Sequence, residues 1–221
     1  MTHGDIKTKF LIEYDKMTTT SSYPSLTDYE IETVLDKAYL AIIANKFTGN
    51  NPRKVGFEGD NKAIEDIRPL IKTQVFNKVG NGEYNQVDYT ILSDMMFLIQ
   101  GNLSVYPNTR LNVQLVSHDI ARSFKQTANN LPWIPNPTIY IDGDQIHLLY
   151  DSYKYKSDQI GKLECVYIGK PKMFVNSDND TQFELSESVA QEVINMAIIM
   201  SAEIVESQRL STKASINSFE S

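Results

Sequence analysis

The chain is predicted to be an α+β protein in which N-terminal helices and a long C-terminal helix bracket a central antiparallel β region. Three observations predict this. Apolar residues recur at helical spacing between residues 5 and 74 and again between 186 and 210, the period shifts towards two between 75 and 175, and strands nowhere alternate with helices as βαβ units would require. The reading is of one domain over residues 1–210, followed by a polar tail over 211–221.

Taken in order, Asp5 is placed to cap a first helix whose apolar residues Ile6, Phe10, Leu11 and Tyr14 share one face. The polar run Thr18 to Ser22 ends it. After Pro24, Ser25 or Thr27 caps a longer helix with the stripe Ile31, Val34, Leu35, Ala38, Tyr39, Ile42, Ile43 and Phe47, and Gly49-Asn50-Asn51-Pro52 stops it. A third helical segment spans Asn61 to Gln74, with Ala63, Ile64, Ile67 and Ile71 in phase, and Pro69 must end or kink it.

Hairpin punctuation then begins, with Gly80-Asn81-Gly82 and Asp142-Gly143 as turn signals. The predicted strands are Val87 to Leu92, Met95 to Ile99, Leu111 to Val116, Thr138 to Ile141, Gln145 to Tyr150 and Lys162 to Ile168. Ser117 caps a short helix through Ile120, Ala121 and Phe124, and the three prolines of LPWIPNP force an extended crossover in which Trp133 packs on the sheet. Leu185-Ser186-Glu187-Ser188 opens the last helix, with Val189, Val193, Met196, Ala197, Met200, Ile204 and Val205 as its stripe. Ser211 to Ser221 carries only Ile216 and Phe219 as apolar anchors and cannot order itself.

Composition narrows the function classes. Of 221 residues, 41% are hydrophobic, enough for a packed core, and no stretch approaches the roughly 20 apolar residues of a membrane helix. The opening MTHGDIKTKF lacks the apolar core of a signal peptide, so synthesis in the cytoplasm is expected. Cys165, the single cysteine, has no partner for an intrachain disulfide. A net charge of −7 has the wrong sign for gripping phosphates, although a channel through which DNA slides gains from weak contacts.

The motifs that could carry chemistry each lack a component. Ser117-His118-Asp119 has the residue types of a hydrolytic triad, yet neighbours in sequence point in different directions, and a helix cap with an acid in its first turn accounts for them. His3 lies at a terminus, and His147, alternating with Ile146 and Leu148, is predicted to be an exposed strand residue. Neither is part of a two-ligand zinc motif. Asp178-Asn179-Asp180 opens like a calcium loop, but Phe183 and Val189 stand where glycine and glutamate are needed. Gly56 to Lys62 lacks the spacing and Lys-Ser/Thr ending of a phosphate loop. Glu30 with Glu32 and Glu203 with Glu206 fall on helices whose opposite faces are apolar, which predicts a solvated face or a subunit contact, and Tyr150, Tyr153 and Tyr155 supply either core or interface anchors. The expectation is therefore of no catalytic residue, no cofactor and no metal.

The order of segments resembles that of ring, neck or head–tail adaptor proteins of crAss-like and related tailed bacteriophages. FLIEYDKM followed by LTDYEIETVLDKAYLAIIANKF is similar to that family's paired N-terminal helices, and LVSHDIARSFKQTANNLPWIPNP to its strand, capped helix and proline-bearing crossover. YDSYKYKSDQIGKLECVYIGKPKMF is similar to its hairpin ending in Lys-Pro. FELSESVAQEVINMAIIMSAEIVESQRL resembles its last helix, ending here in Glu206 to Arg209, with Ser186 where the family often has proline.

The resemblance implies a non-enzymatic virion protein in the portal–tail neck. It would form a cyclic oligomer of about twelve copies by head-to-tail contacts, touching the portal on one side and further ring or tail proteins on the other. Genomic DNA would pass without sequence-specific binding and no membrane would be involved. Arg209, Leu210, Ile216 and Phe219 are the candidate residues for contact with the portal or a neighbouring ring. The alternatives are a cytoplasmic phage-encoded binding module and, behind it, a hydrolase.

Overall fold

In the computed structural model the described residues are 1–17, 26–49, 61–81, 85–126, 132 and 136–205. They combine five α-helices with eight strands, a mixed α and β protein, and group into two compact units, residues 1–70 with 171–221 and residues 71–170.

The first unit is helical. Helix α1, His3–Met17, begins on a reciprocal cap, in which the Asp5 amide donates to Thr2 Oγ1 at 3.1 Å and the Thr2 amide to Asp5 Oδ2 at 2.8 Å. Thr2 therefore holds the cap expected of Asp5, because the acid three residues on satisfies the cap's own amide. Ile6, Phe10 and Tyr14 are buried, whereas Leu11 is exposed. Helix α2, Asp28–Thr48, starts on a capping box between Thr27 and Glu30 and ends at Gly49, whose φ of 75° is the left-handed cap that glycine adopts without strain. Its buried stripe from Ile31 to Ile43 follows the prediction, except that Phe47 is only half-buried and Asp36 is buried within it.

The predicted helix over 61–74 is cut short. Helix α3 covers Asn61–Ile67, a 3-10 turn follows over Arg68–Leu70, and Ile71 already belongs to a strand. Pro69 has no amide to continue the ladder, and the β-branched residues after it go to the sheet. Helix α5, Glu187–Val205, begins where Ser186 Oγ accepts from the Val189 amide at 3.4 Å. It packs on both α1 and α2, so Ala190, Ile194 and Ile198 are buried alongside Val189, Val193, Ala197 and Met200. Its predicted continuation to Leu210 lies outside the described residues.

The second unit is a sheet in the order β1-β8-β4-β5-β6-β7-β3-β2. The strands are β1 Ile71–Phe76, β2 Lys78–Asn81, β3 Gln86–Thr90, β4 Met95–Val105, β5 Thr109–Leu115, β6 Thr138–Asp142, β7 Gln145–Leu149 and β8 Ile160–Gly169. The two edge strands β1 and β2 are separated in sequence by Asn77 alone. Laid flat, eight strands at about 4.8 Å spacing would hold their edges roughly 30 Å apart, and one residue spans only about 3.8 Å. The sheet must therefore curl round on itself, and β1 and β2 act as one bent strand that closes it. Val87, Tyr89, Leu103, Val105, Ile139, Ile146, Leu148, Leu163, Cys165 and Tyr167 fill the inside.

Two strand expectations are corrected. Pairing is not purely antiparallel, because β5 and β6 run parallel with Gln114 opposite Thr138 and Leu115 opposite Ile139. The long connection between them contains helix α4, His118–Gln126, and so has room to return the chain to the same end. Strand β4 also runs six residues beyond Ile99, through Gly101 to Val105, since its pairing with β8 and β5 outweighs a glycine and an asparagine of low strand preference. The β6–β7 hairpin turns at Gly143 with φ 54°, as its sequence predicts. At Gly161 a β-carbon would lie 2.9 Å from the Ser104 carbonyl oxygen, so only glycine permits β8 to approach β4 where their register shifts.

Candidate functional site

The most organised polar cluster lies on the outer face of the curled sheet. Asp88, His147 and Tyr140 stand directly opposite one another on β3, β7 and β6, and so project from one face. His147 Nδ1 is 2.6 Å from Asp88 Oδ1, and its ring stacks on Tyr140 with centroids 4.8 Å apart. The Gln86 amide nitrogen donates to Asp88 Oδ1 at 2.6 Å, and its carbonyl accepts from Tyr140 Oη at 3.3 Å. From α4, Lys125 Nζ donates to the same hydroxyl at 2.6 Å, and the His118 ring meets Tyr140 edge-on at 5.5 Å.

His147 is thus mostly enclosed, not exposed as predicted. Alternation identifies which face a residue occupies, but it cannot show that α4, Tyr140 and Asp88 cover that face. Asp88 Oδ1 lies 2.6 Å and the Gln86 amide nitrogen 2.8 Å from Nδ1, and a nucleophile-activating arrangement would also need a hydroxyl or thiol on Nε2. Among the described residues no hydroxyl or thiol is hydrogen-bonded to that nitrogen. The contacts that are made fasten α4 to the sheet, alongside the apolar patch of Ala121, Leu149, Tyr140, Val116 and Phe124.

A second feature is a groove of about 590 Å³ at one end of the curled sheet, lined by the β4–β5 hairpin and the start of β8, including Tyr106, Arg110, Asp158 and Lys162. The hairpin is held there by the Tyr106 amide, which donates to the Gln159 carbonyl at 2.9 Å. The tyrosine cluster flagged in the sequence divides at this end. Tyr150 is core, Tyr155 packs on the core, and Tyr153 is exposed.

In the helical unit, His3 is fully buried. It stacks on Phe174 at 4.2 Å, with Nδ1 2.7 Å from Ser177 Oγ and Nε2 without a partner among the described residues. Burial, and after it the Lys7 charge, holds its pKa below the ordinary value. The Asp178–Asp180 loop is fastened to the start of α1, with the Gly4 amide on the Asn179 carbonyl at 2.9 Å and Lys7 Nζ on Asn179 Oδ1 at 3.1 Å. Glu30 completes a helix cap and Glu32 pairs with Lys7. Cys165 is buried inside the curled sheet, where desolvation pushes its thiol pKa up to about 12.

Ser117, His118 and Asp119 are exposed at the start of α4 and are not hydrogen-bonded to one another. Gly56 to Asp60, Trp133, Glu206 and the interface candidates Arg209, Leu210, Ile216 and Phe219 lie outside the described residues. Asp88 and Gln86 were missed by the sequence reading. Their one signal was a pair of polar residues at i and i+2 in a strand, which is equally the signature of a solvated face. No protein-family model matches the chain, and no curated protein matches its sequence.

Proposed function

We propose that this protein is a non-catalytic structural component of a phage virion, forming a ring in the portal–tail connector around the DNA path. Beside the whole-chain resemblance of segment order, the observation that carries the reading is that each unit displays large apolar side chains to solvent. Leu11 and Ile12 on α1 and Ile199 on α5 are exposed in the helical unit, and Val75, Val79, Leu115 and Ile120 in the sheet unit. A head-to-tail ring needs two different sticky surfaces on each copy, and exposed apolar groups on two separate units supply candidates for both.

Quantitative mass spectrometry of purified virions, with electron microscopy of the isolated protein, tests this reading. The expected result is a stoichiometric, many-copy virion component that forms closed rings, alone or on the portal. Absence from virions points instead to the cytoplasmic binding module. A stable two-fold dimer in solution and in virions also overturns the reading, because two-fold pairing consumes the surface a cyclic neighbour needs.

A further inference from the structure

The groove end of the curled sheet has a character that the chain's net charge of −7 conceals. The β4–β5 hairpin and the loop between β7 and β8 meet there through the Tyr106 amide on the Gln159 carbonyl, and Lys78 of β2 donates to the Ser157 carbonyl and hydroxyl of the same loop, both at 2.9 Å. The loop carries the alternation Tyr153-Lys154-Tyr155-Lys156, and Arg110 and Lys162 line the groove beside it. Tyr106 and Tyr153 are each 73% exposed, more than any other large apolar or aromatic side chain among the described residues. Lys154, Lys156 and Lys162 are exposed and have no carboxylate within ion-pair distance among the described residues. The carboxylates nearby are Asp151, which accepts from the Tyr153 amide, Asp158 in the groove wall, and Glu164, 3.8 Å from Arg110. Counting Lys78, the described residues of this end hold five cations to three carboxylates.

We propose that this end of the sheet unit is a contact surface for the phosphate backbone of a nucleic acid, without base specificity. Two exposed tyrosines, Tyr106 and Tyr153, beside Lys154, which lies 5.8 Å over the Tyr155 ring, Lys156 and Lys162 suit that partner. A tyrosine ring stacks on any base, and its hydroxyl donates to phosphate, while the lysines replace condensed counterions. The open, polar groove suits a hydrated strand. Lysine is depleted from protein–protein interfaces and frequent at phosphate contacts, which favours nucleic acid over the acidic surface of a protein partner. The inference rests on the sheet unit alone and does not require that the chain form a ring.

The test is fluorescence anisotropy with a labelled duplex and a labelled single strand of arbitrary sequence, titrated at low salt and again with added salt. The wild type is expected to bind both weakly, with a log–log salt slope of about −3 for the duplex, which is the release expected from three to four phosphate contacts. The variant Lys154→Gln/Lys156→Gln/Lys162→Gln should lose about tenfold in affinity. A control of equal charge change elsewhere, Lys9→Gln/Lys37→Gln/Lys170→Gln, should lose no more than about twofold. Tyr106→Ala should weaken the single strand more than the duplex, since only unpaired bases can stack on it. An unchanged circular dichroism spectrum and melting temperature keep folding out of the comparison. No binding by the wild type at low salt, or equal losses in the two lysine variants, overturns the proposal. Loss of self-association in the loop variant with no change in nucleic-acid binding also overturns it and assigns the surface to an acidic protein partner. Ring formation, read separately by electron microscopy, stands or falls independently of all these results.

Discussion

Asp36 holds the start of the irregular segment that follows the sheet unit in sequence, and replacing it should be among the costliest single changes in the helical unit. Its side chain is 6% exposed on the buried face of α2 and accepts two backbone amides at once, Phe174 at Oδ1 (2.5 Å) and Val175 at Oδ2 (3.1 Å). Asp36→Ala would leave both donors without an acceptor. A buried donor left unsatisfied costs about 1–3 kcal/mol, so the pair costs about 2–6 kcal/mol. Part of this is offset. Burial raises the Asp36 carboxyl pKa above the ordinary value even though the two amide bonds pull it down, so the folded state already carries a penalty for holding the charge at neutral pH. The net expectation is a loss of about 2–4 kcal/mol. Asp36→Asn keeps one carbonyl acceptor, relieves the charge penalty and turns an NH2 group towards the other amide, so it should fall between the two at about 1–2 kcal/mol. Urea unfolding followed by far-UV circular dichroism ranks the three proteins, and hydrogen exchange at the Phe174 and Val175 amides localises the effect. Exchange there should accelerate by at least about tenfold in the alanine variant if the local loss exceeds 1.4 kcal/mol. An alanine variant within about 0.5 kcal/mol of wild type, or an asparagine variant as costly as alanine, would refute the reasoning.

Three further outcomes are expected. Lys46 Nζ donates to Asp66 at 2.7 Å and Glu192 at 2.8 Å, and although burial alone would lower its pKa, those two bonds raise it overall. Lys46→Met strands Asp66, whose side chain is 9% exposed, and should cost about 3–5 kcal/mol in a urea melt; adding Asp66→Leu should recover most of that loss, and no recovery would show that the pair is not the cause. The pKa of His3 is lowered by burial and then by Lys7, so the unfolded chain takes up the proton more readily. Stability attributable to His3 is therefore full above about pH 6.5 and is lost as pH falls from there through the lowered folded value. His3→Phe should flatten that decline in melting temperature, and an unchanged pH profile would rule it out. Lastly, deleting Ser211 to Ser221 should leave the melting temperature of the isolated protein within a degree or so and, if the chain forms the proposed ring, impair its assembly, with Phe219→Ala alone weakening that docking by at most a few kcal/mol per copy. Full virion occupancy by the truncated chain would remove the tail from the interface.

Sequence by itself determined the local elements of this protein. A cap at Ser25 or Thr27, Gly49, the stripe from Ile31 to Ile43, the Gly143 turn and the Ser186 start are recognised from neighbours a few residues apart, and local hydrogen bonds and helical spacing decide them whatever the rest of the chain does. What tertiary structure decided was every feature whose partner is remote in sequence. Ile71 to Gln74 had the spacing of a helix and became a strand because β8 offers a ladder nearly a hundred residues later. Strand β4 outran its own weak preference for the same reason, and β5 found a parallel partner only once α4 had carried the chain back. His147 looked solvated and is enclosed by Asp88 and Tyr140, and the lysines and tyrosines of two separate loops share one end of the unit because β8 pairs with β4. Periodicity specifies which side of an element is apolar, since that depends on spacing along one chain segment. It does not specify what covers either side, because that is fixed by the packing of segments whose mutual distance the sequence does not encode locally.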